Sequence, residues 1–351
     1  MAAISSPPGG HLAGGLLPKW APYAVYAGSA ALSAAVLAAT GAFTIALTLV
    51  FAVIVACIGM YVWARAVEGP RRAFDRTITM MIAAAFALAM IPLISLLYEV
   101  ISRGLPGLNW EFLTEDARGV INGGGAAHAL VGTLVITGVA AIISVPIGIM
   151  AAIYLTEYGE GKLRKALTFF VDVMTGIPSI VAGLFAYALF ELFLGPGIRL
   201  GVMGSVALSV LMIPIVIRSA EEVLKIVPNH LREAAYALGT PKWKTITKIV
   251  LPTAFAGLVT GVMLSVARII GETAPLLVTT GVIDSINSDP FEGRMQNLAV
   301  YAYSEYRSPG IDKAASYDRA WAAALLLIAI VMILNVVARL VYRRYKTEIH
   351  R

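Results

Sequence analysis

Eight stretches of this chain carry few or no charges, and each is long enough to cross a bilayer: roughly 22–41, 43–63, 78–101, 128–155, 167–193, 202–226, 254–281 and 320–341. Crossing the hydrocarbon core takes ~20 apolar residues as a helix but only about 10 as a strand. No water there can satisfy a bare backbone, so runs of this length close their own hydrogen bonds as helices. The composition agrees: 59% of the 351 residues are hydrophobic and 14% are charged, against about 25% charged in soluble domains. The sequence therefore predicts an all-α, polytopic transmembrane bundle. Its first two spans, parted only by a turn near Thr40-Gly41, form a hairpin.

The remaining charges define a topology. Arg65, Arg71, Arg72 and Arg76 lie in one set of connections with Lys162, Arg164, Lys165, Lys225, Arg232, Lys242, Lys244 and Lys248. Arg343, Arg344, Lys346 and Arg351 end the same series. The opposite connections hold Arg103, Arg118, Arg199, Arg294, Arg307 and Lys313. Basic loops stay cytoplasmic, so eight spans place both termini and the 227–250 loop inside the cell, with the chain in the cell membrane. The net charge of +6 flanks apolar spans and so reads as topology, not as nucleic-acid binding. A single cysteine, Cys57, excludes an intrachain disulfide and a cysteine metal site. Residues 1–20 are Gly/Pro-rich and read as a disordered cytoplasmic tail. The first apolar run lacks the basic flank and small-residue cleavage site of a removable signal.

Two charges interrupt the span 254–281: Arg268 and Glu272. Each costs ~2.5–3.5 kcal/mol at a helix centre on insertion scales, so each needs a reason. On a continuous helix their spacing of four puts them on one face, where they can neutralise each other. The other reading is a face lining a pathway for a charged substrate. Arginine suits an oxyanion because its planar fork donates paired hydrogen bonds and stays ionised. Glu272 would then soften the field so that the anion is released. Arg218 follows a charge-free run, 201–217, and has two readings, a cytoplasmic anchor or a residue of the same path. Asp172 beside Gly176-Ile-Pro-Ser179 reads as a helix-end charge near a proline kink. Gly123-Gly124-Gly125 reads as a turn into a helix near His128, since no Gly-Lys-Ser/Thr follows it. The outer aromatics Trp110, Phe112, Tyr301, Tyr303 and Tyr306 read as packing at headgroup depth, or as contact with an external partner. His11, His128, His230 and His350 are scattered, so a catalytic metal is not expected. The lack of a nucleotide-binding Gly-x-x-x-x-Gly-Lys-Ser/Thr means that this chain is not expected to hydrolyse ATP.

The cytoplasmic loop is the most specific segment. Pro228 and Gly239-Thr240-Pro241 bracket a short helix expected over 229–238. Glu233-Ala234-Ala235, then Gly239, then Ile249-x-Leu251-Pro252 resemble the docking loop of ABC importer permeases at every fixed position. Gly176-Ile-Pro-Ser-Ile-Val-Ala-Gly-Leu184, Ile213 to Trp243 and Ala267-Arg-Ile-Ile-Gly-Glu-Thr-Ala-Pro-Leu-Leu277 narrow the resemblance to the phosphate-specific permeases of that class, the PstA family.

The resemblance covers roughly 78–345 and implies a type I ABC importer permease core of six helices. Its coupling helix would lie at 229–238, and 21–64 is an extra transmembrane hairpin to which the resemblance gives no role. It implies a permease subunit that moves inorganic phosphate inward and has no cofactor of its own, ATP being bound by a partner. The implied partners are a homologous second permease, two ATP-binding subunits docking at 229–243 and an extracytoplasmic phosphate-binding protein, within membrane lipid. It carries the pathway role onto Arg218, Arg268 and Glu272, and the ATPase-coupling role onto Glu233, Ala234, Ala235 and Gly239. Sulfate or molybdate as substrate, a phosphate-status signalling role and a membrane enzyme are the rival readings.

Overall fold

The structure is a computed structural model describing residues 16–41, 43–119 and 124–349. Residues 1–15 of the tail expected to be disordered lie outside these residues, as do His11, Gly123, His350 and Arg351. Among the described residues all regular structure is helical: α1 (Ala21–Ala39), α2 (Ile45–Glu68), α3 (Pro70–Gly107), α4 (Trp110–Thr114) and α5 (Ala127–Ile153). Then come α6 (Gly161–Thr175), α7 (Ser179–Leu194), α8 (Gly201–Ile226), α9 (Asn229–Ala237), α10 (Lys242–Thr245) and α11 (Leu251–Ile270). The last are α12 (Ala274–Thr279), α13 (Leu298–Arg307) and α14 (Lys313–Ile349). Wider π turns extend α5 over Tyr154–Tyr158 and join α10 to α11 over Ile246–Val250. The second lies just ahead of Pro252, which has no N–H to give and crowds the carbonyl four residues back.

Among the described residues, seven helices are long and apolar enough to cross a membrane, or eight spans if α6 and α7 count as one. Two of the expected spans differ from the sequence reading. The span expected at 167–193 is two helices bent by 107° at residues 176–178. Gly176 ends α6, and Pro178 disfavours helical backbone at Ile177 before capping α7. The span expected at 254–281 stops at Ile270, where Gly271 is the cap; after Thr273 the short α12 begins with Pro275 in its first turn.

The chain divides into two compact units, residues up to Tyr98 and residues from Glu99. In the smaller, α1 and α2 pack against each other through Ala56, Met60 and Ala64, with Ala73 and Met80 of α3. Glu68, whose side chain is fully buried, accepts from Leu17 N at 2.6 Å and from Arg76 Nε at 2.6 Å.

The core of the larger unit is the α5–α8 pair. Ile136 and Ala140 of α5 cluster with Leu208, Met212 and Val216 of α8, with Ile269 and Leu276 alongside. Ser205 Oγ donates across the pair to the Ile136 carbonyl at 3.0 Å. Gly132 of α5 meets the extended segment before α13 so closely that a Cβ there would stand 2.0 Å from the Gln296 carbonyl oxygen. The outer aromatics divide. Phe112 and Tyr301 are buried edge-to-face beneath α14, whereas Trp110 is exposed. Burial pushes the Tyr301 phenol well above its usual range, so it stays neutral. Gly124 and Gly125 lead into α5, which begins at Ala127.

Candidate functional site

The two broken spans meet. Gly183 of α7 sits against Pro275 of α12, where a Cβ would be 2.6 Å from the proline Cα. Beside this contact is a cavity of about 340 Å³, lined by both breaks. Thr175, Pro178 and Ser179 come from the first break, Arg268 and Glu272 from the second, and Pro214 from α8 between them. The opening amides of α7 have no partners within the helix, and a helix N-terminus carries partial positive charge.

Arg268, in the last turn of α11, is exposed, and Glu272 is half-buried. On a continuous helix both would share one face, able either to neutralise each other or to line a pathway. Glu272 instead lies past the helix end, its N–H bonded to Ile269 O at 3.1 Å. Its carbonyl accepts from Asn297 Nδ2 at 3.3 Å. Among the described residues neither side chain forms an ion pair. The break thus separates a pair that an unbroken helix would join.

Arg218 is placed differently. It does not line this cavity. Its guanidinium donates to Asp172 of α6 and, at 2.8 Å, to Glu221, which also holds Lys225 at 2.7 Å. The four charges sum to zero. Asp172 is therefore half of a bridge between two helices, a role with no trace in its sequence neighbourhood.

The third group is the loop helix α9, which matches the expected 229–238 with Leu238 as its cap. Gly239 takes a φ of +73°, where a side chain would be strained, and turns the chain so that Thr240 N reaches Ala235 O at 3.0 Å. Ala235 is buried against the chain's own core, whereas Glu233 and Ala234 face outward with Leu238 and Trp243. What fixes this helix was not visible in sequence. Arg232 donates to Glu157 on the π turn of α5 at 2.7 Å, and to the Val227 and Leu224 carbonyls at the end of α8 at 2.7 and 3.1 Å. Only 14% and 5% of the two side chains are exposed. Lys242 sits over the ring of neighbouring Tyr158, 5.0 Å from its centroid. Two successive residues of one turn therefore hold both ends of the loop.

This architecture, with its broken spans and its short external helix, is that of an ABC importer permease. It aligns with a chain from the crystal structure of a bacterial alginate ABC transporter bound to a pentasaccharide-loaded periplasmic protein, at a TM-score of 0.56. That alignment covers 80% of this chain and 98% of the other at 14% identity, a likeness of fold alone. Residues 144–349 match the family model of the binding-protein-dependent transport system inner membrane component, and the chain belongs to that family. A relative from Mycobacterium tuberculosis strain H37Rv, phosphate transport system permease protein PstA 1, is 46% identical over 275 residues, 77% of this chain and 88% of the relative. The PstA permease of Yersinia pestis is 38% identical over 282 residues, 79% of this chain and 92% of that relative. The protein is accordingly a multi-pass, inner-membrane permease component.

Proposed function

We propose that this chain is the permease subunit of an importer that carries inorganic phosphate into the cell, driven by ATP hydrolysed on a separate subunit. The observation that carries the reading is the cavity where the two broken spans meet. It offers Arg268, which has no carboxylate partner among the described residues, a helix N-terminus and Glu272 to limit the attraction. An oxyanion is the ligand that such donors recognise. The printed names of the relatives, phosphate transport permeases, select phosphate among tetrahedral anions that arginine alone does not distinguish.

In this reading both termini and the 227–250 loop are cytoplasmic. Arg268 and Glu272 line the path, and Arg218 serves its inner end. Two ATP-binding subunits dock at 229–243, reading Glu233 and Ala234 on the outward face of α9, while Ala235 and Gly239 seat the helix. Movement of α9 passes through Arg232 and Glu157 into α5 and α8. A homologous second permease completes the pathway, and an extracytoplasmic binding protein delivers the anion to the outer loops. The chain needs no cofactor and performs no chemistry of its own.

The test is uptake of labelled phosphate by cells in which this chain is deleted and then restored, with excess sulfate as competitor. Restoration should recover uptake that sulfate leaves unchanged. Full uptake without the chain would refute a transport role, and equal competition by sulfate would reassign the anion.

A further inference from the structure

The Asp172–Arg218 bridge has a definite position relative to the cavity. On α6 the cavity wall is Met174 and Thr175, and Asp172 precedes them. On α8 the wall is Leu211, Pro214 and Ile215, and Arg218 follows them. α6 runs toward the cavity from the basic Lys162–Lys165 connection, whereas α8 runs from it toward Lys225 and the α9 loop. Both residues therefore stand on the same side of the cavity, roughly one helical turn, or about 5.4 Å, beyond its lining. Beside them Val171 packs on Ile217, an apolar contact with no directional bond.

We propose that Asp172 is a tethered carboxylate occupying Arg218 between transport events, so that the bridge closes the inward floor of the anion cavity. The proposal rests on the phosphate-pathway reading above and adds the step at which the anion leaves. An anion arriving at Arg268 brings negative charge into the cavity whose lining Asp172 borders, and like charge opposes the carboxylate. It also competes for the guanidinium that Asp172 holds. Arg218 keeps its second carboxylate, Glu221, which is on its own helix and shared with Lys225. Loss of Asp172 thus removes the ion pair that ties α6 to α8 without leaving Arg218 uncompensated. Substrate exchanges for a side chain of equal chemistry, and the floor opens only when the exchange is made.

The experiment uses the complete transporter complex in proteoliposomes loaded with labelled phosphate, with neither nucleotide nor binding protein present. Asp172→Asn should raise passive efflux about fivefold, the scale of a partly exposed ion pair, and Arg218→Gln should do the same. Asp172→Glu, which keeps the carboxylate, should hold efflux near the parental rate. Efflux from Asp172→Asn equal to the parent's, or Asp172→Glu as leaky as Asp172→Asn, would overturn the gate. Should the Asn variant fail to assemble, Arg218→Gln against Asp172→Glu carries the same comparison. ATP-driven phosphate uptake by the parent is measured in parallel vesicles. A parent without uptake refutes the transport reading, whereas an active parent with unaltered leak refutes the gate alone.

Discussion

The α9 end and the cavity end of the larger unit treat charge in opposite ways. At the α9 end, Arg232 is enclosed by Glu157 and two backbone carbonyls, and nothing is left for a ligand. At the cavity end, Arg268 and Glu272 are four residues apart yet share no ion pair, because the helix stops between them. Desolvating an ion is expensive, so a buried pair persists only when its geometry is fully satisfied. A charge kept without a partner in a span is the one available to something that passes. In the proposed function the satisfied charge transmits force, and the unsatisfied charge meets the substrate.

The contrast can be broken experimentally. Removing one partner of a buried pair strands the other, so Glu157→Ala should cost about 3–5 kcal/mol, read as a lowered midpoint of thermal unfolding in detergent, and should loosen α9. A loss below about 1 kcal/mol would mean that solvent already screens Arg232 as it screens surface pairs. Gly132→Ala, which forces a methyl against the Gln296 carbonyl, should cost about 1–3 kcal/mol by overpacking, measured the same way. Asn297→Ala removes the side-chain oxygen that caps α13 at 2.9 Å from Val300 N, and the bond to the Glu272 carbonyl with it. About 1 kcal/mol of stability should go, with greater protease sensitivity at residues 271–273. Smallest of all, Arg268→Gln and Glu272→Gln should each leave stability within about 0.5 kcal/mol of the parent, as substitutions away from structural partners do. A large destabilisation in either would place it on the structural side of the contrast.

Much of this was legible in the sequence. Charge-free runs located the spans, and the breakers Pro228 and Gly239 located α9 to within a residue. The breaks within spans were not, because both halves of 167–193 are apolar enough to average into one run. The local signal, Gly176 followed by Pro178, marks a kink or a full break alike. A 107° bend depends on α7 finding α12 through Gly183 and Pro275, which are 92 positions apart in the chain. The same limit hid the partners of the charges. Arg232 and Glu157 are separated by 75 residues, and Arg218 and Asp172 by 46, so no periodicity links them. Spacing did suggest a pair, Arg268 with Glu272, and there the helix ends first.

The account stands most directly on Arg268. Purified Arg268→Gln complex, shown to assemble and to hydrolyse ATP, should take up no labelled phosphate above the background of vesicles without the permease. Uptake at the parental rate would contradict the claim that the unpartnered charge at the meeting of the two breaks is where the anion passes.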